Sequence, residues 1–184
     1  WGWSRIGIIS NEIQYGTGDK ASTKESTLPV LRMGNIQDGI LNFEKLKYYP
    51  DDWEKREQYL LKDGDVLFNR TNSAELVGKS ALYRKFHPHA VFAGYLIRVK
   101  VLDEIYYPIL LTWYLNSIFG KSYVKSVVTQ QVGQANVNGT KLAMMPIPLI
   151  SNEEQKEIIA RIEQGFSLIE NTTQIVNSTL QTLQ

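Results

Sequence analysis

The 184-residue chain has no cysteine, only two histidines and only six prolines. Without thiols it can form neither a disulfide nor a thiolate-ligated metal site, and the absence is compatible with a reducing compartment. His87 and His89 flank Pro88 with no carboxylate or thiol close by in the sequence, a poor set of metal ligands, so no metal site is expected. No apolar run approaches the roughly 20 residues that span a bilayer, and Trp1-Gly2-Trp3-Ser4-Arg5 is not a signal peptide. The expectation is a soluble cytoplasmic protein without a membrane partner. Catalytic signatures are also missing. There is no Asn-Pro-Pro-Tyr-type motif to hold a target amine, and Gly16-Thr17-Gly18 alone is too common to mark a cofactor loop. Pro50-Asp51 is followed by no Asp/Glu-x-Lys at a useful distance, and Asp63 and Asp65 flank Gly64 where short carboxylates cap backbone N–H groups. No catalytic residue is assigned.

Hydrophobic residues make up 43% of the chain, ample for a folded core. The formal charge of +1 conceals an asymmetry: residues 1–150 carry 18 Lys and Arg against 14 Asp and Glu, and residues 151–184 carry 2 against 5. Between Ile105 and Asn152 stand Lys121, Lys125 and Lys141 and no carboxylate at all. A polyanion can approach such a surface without repulsion.

The pattern of residues 1–150 is mixed α/β: a small domain with a mixed sheet and flanking helices. Runs 28–36, 40–43, 65–69, 79–84 and 91–101 read as strands, separated by turn signals such as Gln37-Asp38-Gly39 and Lys62-Asp63-Gly64. Pro108 suits a helix start, and 109–128 reads as one longer or two shorter helices. Residues 130–139 read as a polar loop. Tyr48, Tyr49 and Trp53 read as packing residues.

Residues 151–184 read as a long helix of coiled-coil type. Ser151 with Glu154 three residues on forms a capping box. Ile159, Ile162, Phe166, Ile169, Thr173, Val176, Leu180 and Leu183 then alternate four and three apart, which aligns a narrow apolar seam. Such a seam requires a partner. Gly165 in mid-helix is consistent with a close approach there.

Two loops combine amide and cationic side chains in the manner of base reading. Asn and Gln bond bidentately to adenine, Arg to guanine, and Lys to phosphate. The first is Phe68-Asn69-Arg70-Thr71-Asn72-Ser73, leading to Gly78-Lys79; the second runs from Gln130 to Lys141. The candidate contacts are Arg70, Asn72, Lys79, Gln130, Gln131, Gln134, Asn136 and Lys141, with Arg32 and Asn35 as weaker candidates.

The blocks Trp3-Ser4-Arg5-Ile6-Gly7, Leu28-Pro29-Val30-Leu31-Arg32-Met33-Gly34-Asn35-Ile36, Gly64-Asp65-Val66-Leu67-Phe68-Asn69-Arg70, Val77-Gly78-Lys79-Ser80-Ala81, Gln134-Ala135-Asn136-Val137, Pro146-Ile147-Pro148 and Glu154-Gln155-Lys156-Glu157-Ile158 occur in this order. In that order and spacing the chain resembles the DNA specificity subunit of type I restriction-modification systems, over nearly its whole length. It departs from the family at Pro148-Leu149-Ile150-Ser151-Asn152-Glu153, a more polar and extended approach to the helix. The resemblance implies one target recognition domain (1–150) and one conserved spacer or dimerisation helix (151–184). It implies a non-catalytic reader of double-stranded DNA that takes half of a bipartite site and assembles with methyltransferase and restriction subunits. S-adenosylmethionine would sit on the methyltransferase subunit, and this chain would hold no cofactor. The seam of Ile159, Ile162, Phe166, Ile169, Val176, Leu180 and Leu183 then implies a homodimer or pairing with a second recognition repeat. Two other readings stand beside it: a protein–protein scaffold carrying a coiled-coil rod, and the recognition segment of a fused restriction–methylation enzyme.

Overall fold

A computed structural model describes residues 2–131 and 134–182. The chain divides into two compact units, residues 1–149 and 150–184.

The first unit is mixed α/β and is built around a four-stranded antiparallel sheet in the order Ser10–Tyr15, Leu96–Val101, Val66–Asn69, Ser80–Leu82. Leu96–Val101 is almost wholly buried, and its Leu-Ile-Arg-Val-Lys-Val sequence supplies apolar side chains to both faces. Phe68, Phe92, Leu96 and Ile97 are fully enclosed nearby. A three-stranded sheet, Val91–Phe92, Leu28–Leu31 and Lys47–Tyr49, carries the second part of the core. A ribbon pairs Gly2–Arg5 with Pro146–Leu149, so the two ends of the unit meet.

The expected run 28–36 ends as a strand at Leu31, because Met33–Asn35 forms a 3-10 turn. The Asn35 side chain creates that turn: its Oδ1 accepts the Arg32 amide at 2.9 Å. The expected run 91–101 is interrupted at residues 93–95, where a Cβ on Gly16 would lie 2.2 Å from the Ala93 carbonyl oxygen. Only glycine permits that approach. Gln37-Asp38-Gly39 is a two-residue hairpin with positive φ at Asp38 (49°) and Gly39 (83°), the geometry favoured by an Asp-Gly pair. Residues 108–128 form two helices, Pro108–Asn116 and Ile118–Val127, and Pro108 occupies the first turn. Thr129–Gln131 and Gln134–Asn136, expected as loop, are paired strands. The early elements Gly2–Arg5, Ile6–Ile9 and Ser10–Tyr15 had no counterpart among the expected ones.

Among the described residues, two charged groups, Arg98 and Asp65, lie inside this unit. Arg98, 3% exposed, donates through Nη1 to Asp65 at 3.4 Å and the Leu60 carbonyl at 3.0 Å. Its Nη2 donates to Glu12 at 3.3 Å, to the Gln58 carbonyl at 3.4 Å and to Gln14 Oε1. Lys100 adds a 2.8 Å ion pair to Glu12. The hydrogen bond from Lys100 holds the Glu12 carboxyl below its ordinary value. Burial pushes the Asp65 carboxyl up, opposed by the Lys62 amide and by Arg98.

The second unit is a helix, Asn152–Thr182, of 31 residues, about 46 Å long at ~1.5 Å per residue. Ser151 caps it: its Oγ accepts the Glu154 amide at 3.2 Å. Phe166, Ile169, Val176 and Leu180 of the expected seam are exposed, Ile159 and Ile162 are half-buried, and Leu183 lies outside the described residues. Leu168 and Ile175 are also exposed and lie off the seam, so the apolar surface is wider than a two-position stripe. At the seam position Thr173, the hydroxyl donates to the Ile169 carbonyl at 2.8 Å, which satisfies it within the helix.

Replacing Arg98 by Met strands Asp65 in the interior and should cost about 3–5 kcal/mol in urea unfolding at pH 7. Without its guanidinium, Asp65 has a folded pKa above the ~3.9 of an unfolded aspartate. Such a carboxyl favours the fold at low pH and loses that contribution as pH rises through its folded pKa. The stability gap between R98M and the parent should therefore narrow as pH falls towards 4; a gap independent of pH would exclude this role for Asp65.

Candidate nucleic-acid interface

The strands Val66–Asn69 and Ser80–Leu82 are joined by a closed loop. The Asn69 amide donates to the Lys79 carbonyl and the Gly78 amide to the Asn69 carbonyl, each at 2.8 Å. Gly78 has φ +93°, and its Cβ would lie 3.0 Å from Val124. Inside the loop, the Val77 and Leu76 amides donate to the Ser73 carbonyl, and Asn72 Oδ1 accepts the Ser73 amide at 2.8 Å.

The two base-reading loops inferred from sequence are one structure. Thr71–Asn72 pairs with Gln134–Asn136, which pairs in turn with Thr129–Gln131, giving a three-stranded sheet. The Val137 amide donates to the Arg70 carbonyl at 2.9 Å and the Arg70 amide to the Tyr95 carbonyl at 3.0 Å. Arg70 Nη2 donates to Asn136 Oδ1 and Nη1 to the Gly94 carbonyl, both at 3.2 Å. Asn136 Nδ2 donates to Thr71 Oγ1 at 2.8 Å. The Arg70 guanidinium also lies 4.9 Å from the Tyr15 ring centroid, within cation–π range.

Two adjoining clefts result. One, of about 440 Å³, is lined by Arg32, Gln37, Asn72, Leu76, Lys79 and Tyr95 among others. The other, of about 500 Å³, is lined by Lys20, Arg32, Lys47, Arg70, Tyr95 and Asn136 among others. Arg32 and Tyr95 belong to both. Asp19, on the second cleft, is neutralised locally by Lys55 at 2.9 Å, which holds its carboxyl below the usual value. The balance of the clefts is cationic and amide-bearing, with one exposed tyrosine on their shared wall.

Of the expected contacts, Arg32, Arg70, Asn72, Lys79 and Asn136 come together here. Gln134 is exposed on the neighbouring hairpin. The backbones of Gln130 and Gln131 belong to the Thr129–Gln131 strand, and their side chains lie outside the described parts. Lys141 is half-buried, and its ammonium donates at 2.6 Å to both the Val127 carbonyl and Thr129 Oγ1, tying the hairpin to the preceding helix. Asn35 corrects the sequence reading. It is 3% exposed, and its Nδ2 donates to the Asn42 and Glu44 carbonyls at 3.0 and 3.1 Å, so it builds a turn and is not available to a ligand. Tyr95, Lys47 and Lys20 were missed. The one signal for Tyr95 is Gly94-Tyr95 interrupting an apolar run.

Solved structures share this architecture. The HsdS subunit from Thermoanaerobacter tengcongensis matches 94% of the chain with a TM-score of 0.69 at 18% identity, over 43% of that chain. The type I restriction-modification S subunit from M. genitalium matches 93% with a TM-score of 0.62 at 12% identity, over 40% of that chain. The fold is thus that of type I specificity subunits. Residues 10–180 match the type I restriction modification DNA specificity domain, and the chain belongs to that family. The class of the matched region is that of a DNA specificity domain. Among curated relatives, a Methanocaldococcus jannaschii protein provisionally named type I restriction enzyme MjaX specificity subunit is 28% identical over the whole of this chain and 42% of its own length. The type I restriction enzyme EcoKI specificity subunit of Escherichia coli K12 is 25% identical over 94% of this chain and 37% of its own. The chain therefore spans about two fifths of the length of these two relatives.

Asn35→Ala should cost about 1–3 kcal/mol, the cost of leaving the Arg32 amide and the two carbonyls without their partner. Urea unfolding checks this. An unchanged midpoint together with an altered DNA preference would return Asn35 to the contact set.

Proposed function

We propose that this chain is the sequence-reading component of a type I restriction-modification complex and reads one half of a bipartite site in double-stranded DNA. The observation that carries this is the joining of two distant polar segments into one sheet, which places Arg32, Arg70, Asn72, Lys79 and Asn136 around adjoining clefts. Asn72 suits adenine, Arg32 suits guanine or phosphate, and Lys79 suits phosphate, while Asn136 and Arg70 read adenine and guanine by exchanging their bonds to each other, to Thr71 and to Gly94 for bonds to bases. Gln134 extends the same surface along its strand, and Gln130 and Gln131 stay in the proposed contact set. The chain carries no chemistry of its own in this reading. It recruits adenine-N6 methyltransferase subunits, which hold S-adenosylmethionine, and restriction subunits. The long helix pairs along Ile159, Ile162, Phe166, Ile169, Val176, Leu180 and Leu183, with a second copy or with a second recognition repeat, and sets the distance between half-sites. Its length exceeds one duplex turn of about 34 Å. The complex works in the cytoplasm.

The exposed apolar surface of the helix also suits a scaffold that never touches nucleic acid. Salt separates the two: phosphate contacts make DNA affinity fall with a slope of about −0.9 per contact on a log–log plot, and a scaffold binds no DNA.

Co-expression with the adenine methyltransferase subunit of the same locus, followed by long-read mapping of modified adenines, should give a bipartite motif. A palindromic motif indicates a self-paired subunit and an asymmetric one a second recognition domain. Asn72→Ala and Gln134→Ala should relax the motif at single positions by about 1–3 kcal/mol each while non-specific binding persists. A soluble complex with no modified motif would sink the reading.

Ile162→Asp with Ile169→Asp places two charges in the seam at a cost of several kcal/mol. Light scattering should then show the mass of an unpaired chain, and an unchanged mass would exclude pairing through this seam.

A further inference from the structure

The helices Pro108–Asn116 and Ile118–Val127 meet at an unusually constrained corner. Ser117 closes Pro108–Asn116 and caps Ile118–Val127: its hydroxyl donates to the Tyr114 carbonyl at 2.6 Å and accepts the Gly120 amide at 3.4 Å. Asn116 is locked by three bonds. Its Oδ1 accepts the Ser80 amide at 3.0 Å, and its Nδ2 donates to the Ser80 and Thr112 carbonyls at 2.8 and 3.0 Å. A Cβ on Gly120 would stand 2.4 Å from the Leu115 carbonyl oxygen and 2.5 Å from that of Tyr114, so glycine alone lets the second helix turn back this sharply.

At the tip, Ile118 is 77% and Phe119 68% exposed. Helix positions one apart point about 100° away from each other, yet neither faces the core, and Gly120 and Val124 supply the packed side instead. The base of the tip is tied to two segments that lead into the first cleft. Asn116 holds Ser80, the residue after Lys79, and a Cβ on Gly39 would lie 3.6 Å from Asn116 Nδ2, in the hairpin that supplies Ile36 and Gln37 to the first cleft. Phe86 is equally exposed, but it stands at the far end of the same strands, beside Asp63, which accepts the Lys85 amide. Lys121 and Lys125 are exposed along the corner helix. Glu75 is the one acid on the groove they line. The exposed Asp38 adjoins Gly39 at the base of the tip, so the acids are split between that side and Glu75 while both lysines lie along the corner helix, and this lysine-bearing side suits a polyanion rather than an apolar protein face.

We propose that Ile118 and Phe119 form a rigid apolar wedge that presses into a base step from the minor groove, at the edge of the half-site read by the clefts. Apolar wedges of this kind partly unstack a step and kink the duplex. Lys121 and Lys125 hold the adjacent phosphates. Because the corner is already locked in the free protein, little conformational freedom is lost on insertion. The wedge rests on the DNA-recognition reading and adds to it a contact that reads deformability instead of base edges.

The test uses the chain in complex with its methyltransferase subunit and duplexes carrying the mapped motif, with 2-aminopurine placed at successive flanking steps. Binding should raise fluorescence at one step. In I118S/F119S that rise should vanish and affinity should fall about tenfold, with the thermal midpoint and the motif unchanged. F119W should retain both signals. Equal affinity and fluorescence in I118S/F119S, while R70A alters the motif, would overturn the wedge and leave the recognition reading standing. Loss of the methyltransferase subunit from I118S/F119S, with DNA signals intact, would also overturn it by making the tip a protein contact. No motif from the parent complex would defeat the recognition reading itself.

Discussion

A guanidinium cannot shed its charge, so the burial of Arg98 obliges the fold to bring acceptors to it. Glu12 and Gln14 come from one neighbouring strand, Asp65 from the entrance to the other, and the Gln58 and Leu60 carbonyls from the segment that crosses between. The register of the central sheet and the course of residues 56–65 are thereby tied to one side chain. A few residues earlier on the same strand run, the Gly94 and Tyr95 carbonyls receive the Arg70 side chain and amide. The ionic anchor and the cleft wall thus lie on one short stretch of chain, which fixes the cleft relative to the core.

The clefts depend on a second constraint, the pairing of residues 71–72 with 135–136. A two-stranded hairpin by itself is marginal in water, and a third strand supplies backbone partners to the side that would otherwise be solvated. Once Asn136 is fixed to Thr71 and Arg70, the cationic and amide groups are held at set positions. Fixed polar groups discriminate between ligands because a wrong partner leaves them unpaired. Lys141 belongs to this support, since its ammonium holds the start of the hairpin.

The long helix follows a different logic. Its seam includes Thr173, a polar residue, but the hydroxyl is satisfied inside the helix. Thr172 and Thr179 bond the carbonyls four residues back in the same way. Such threonines meet a partner as small residues without an unsatisfied donor. Together with exposed Leu168 and Ile175, they give the helix more apolar surface than its heptad pattern suggested.

Local chemistry made several features legible in the sequence: the Asp38-Gly39 hairpin, Pro108 at a helix start, the Ser151 cap and the heptad rhythm each involve residues within a few positions of one another. The ordered blocks likewise identified the family, and the amide- and Arg-bearing segments pointed to Arg70, Asn72 and Asn136. Tertiary structure alone decided that Gln134–Asn136 is the middle strand of a sheet, because its partner Thr71–Asn72 lies some sixty residues away and loop-closure entropy leaves no local trace of it. It also decided that Asn35 serves a turn, that Lys141 ties a hairpin, and that Tyr95 stands between two clefts. An amide or ammonium carries the same donors wherever it is placed. Only the folded surroundings determine whether those donors are spent on carbonyls of the chain itself or left facing a cleft.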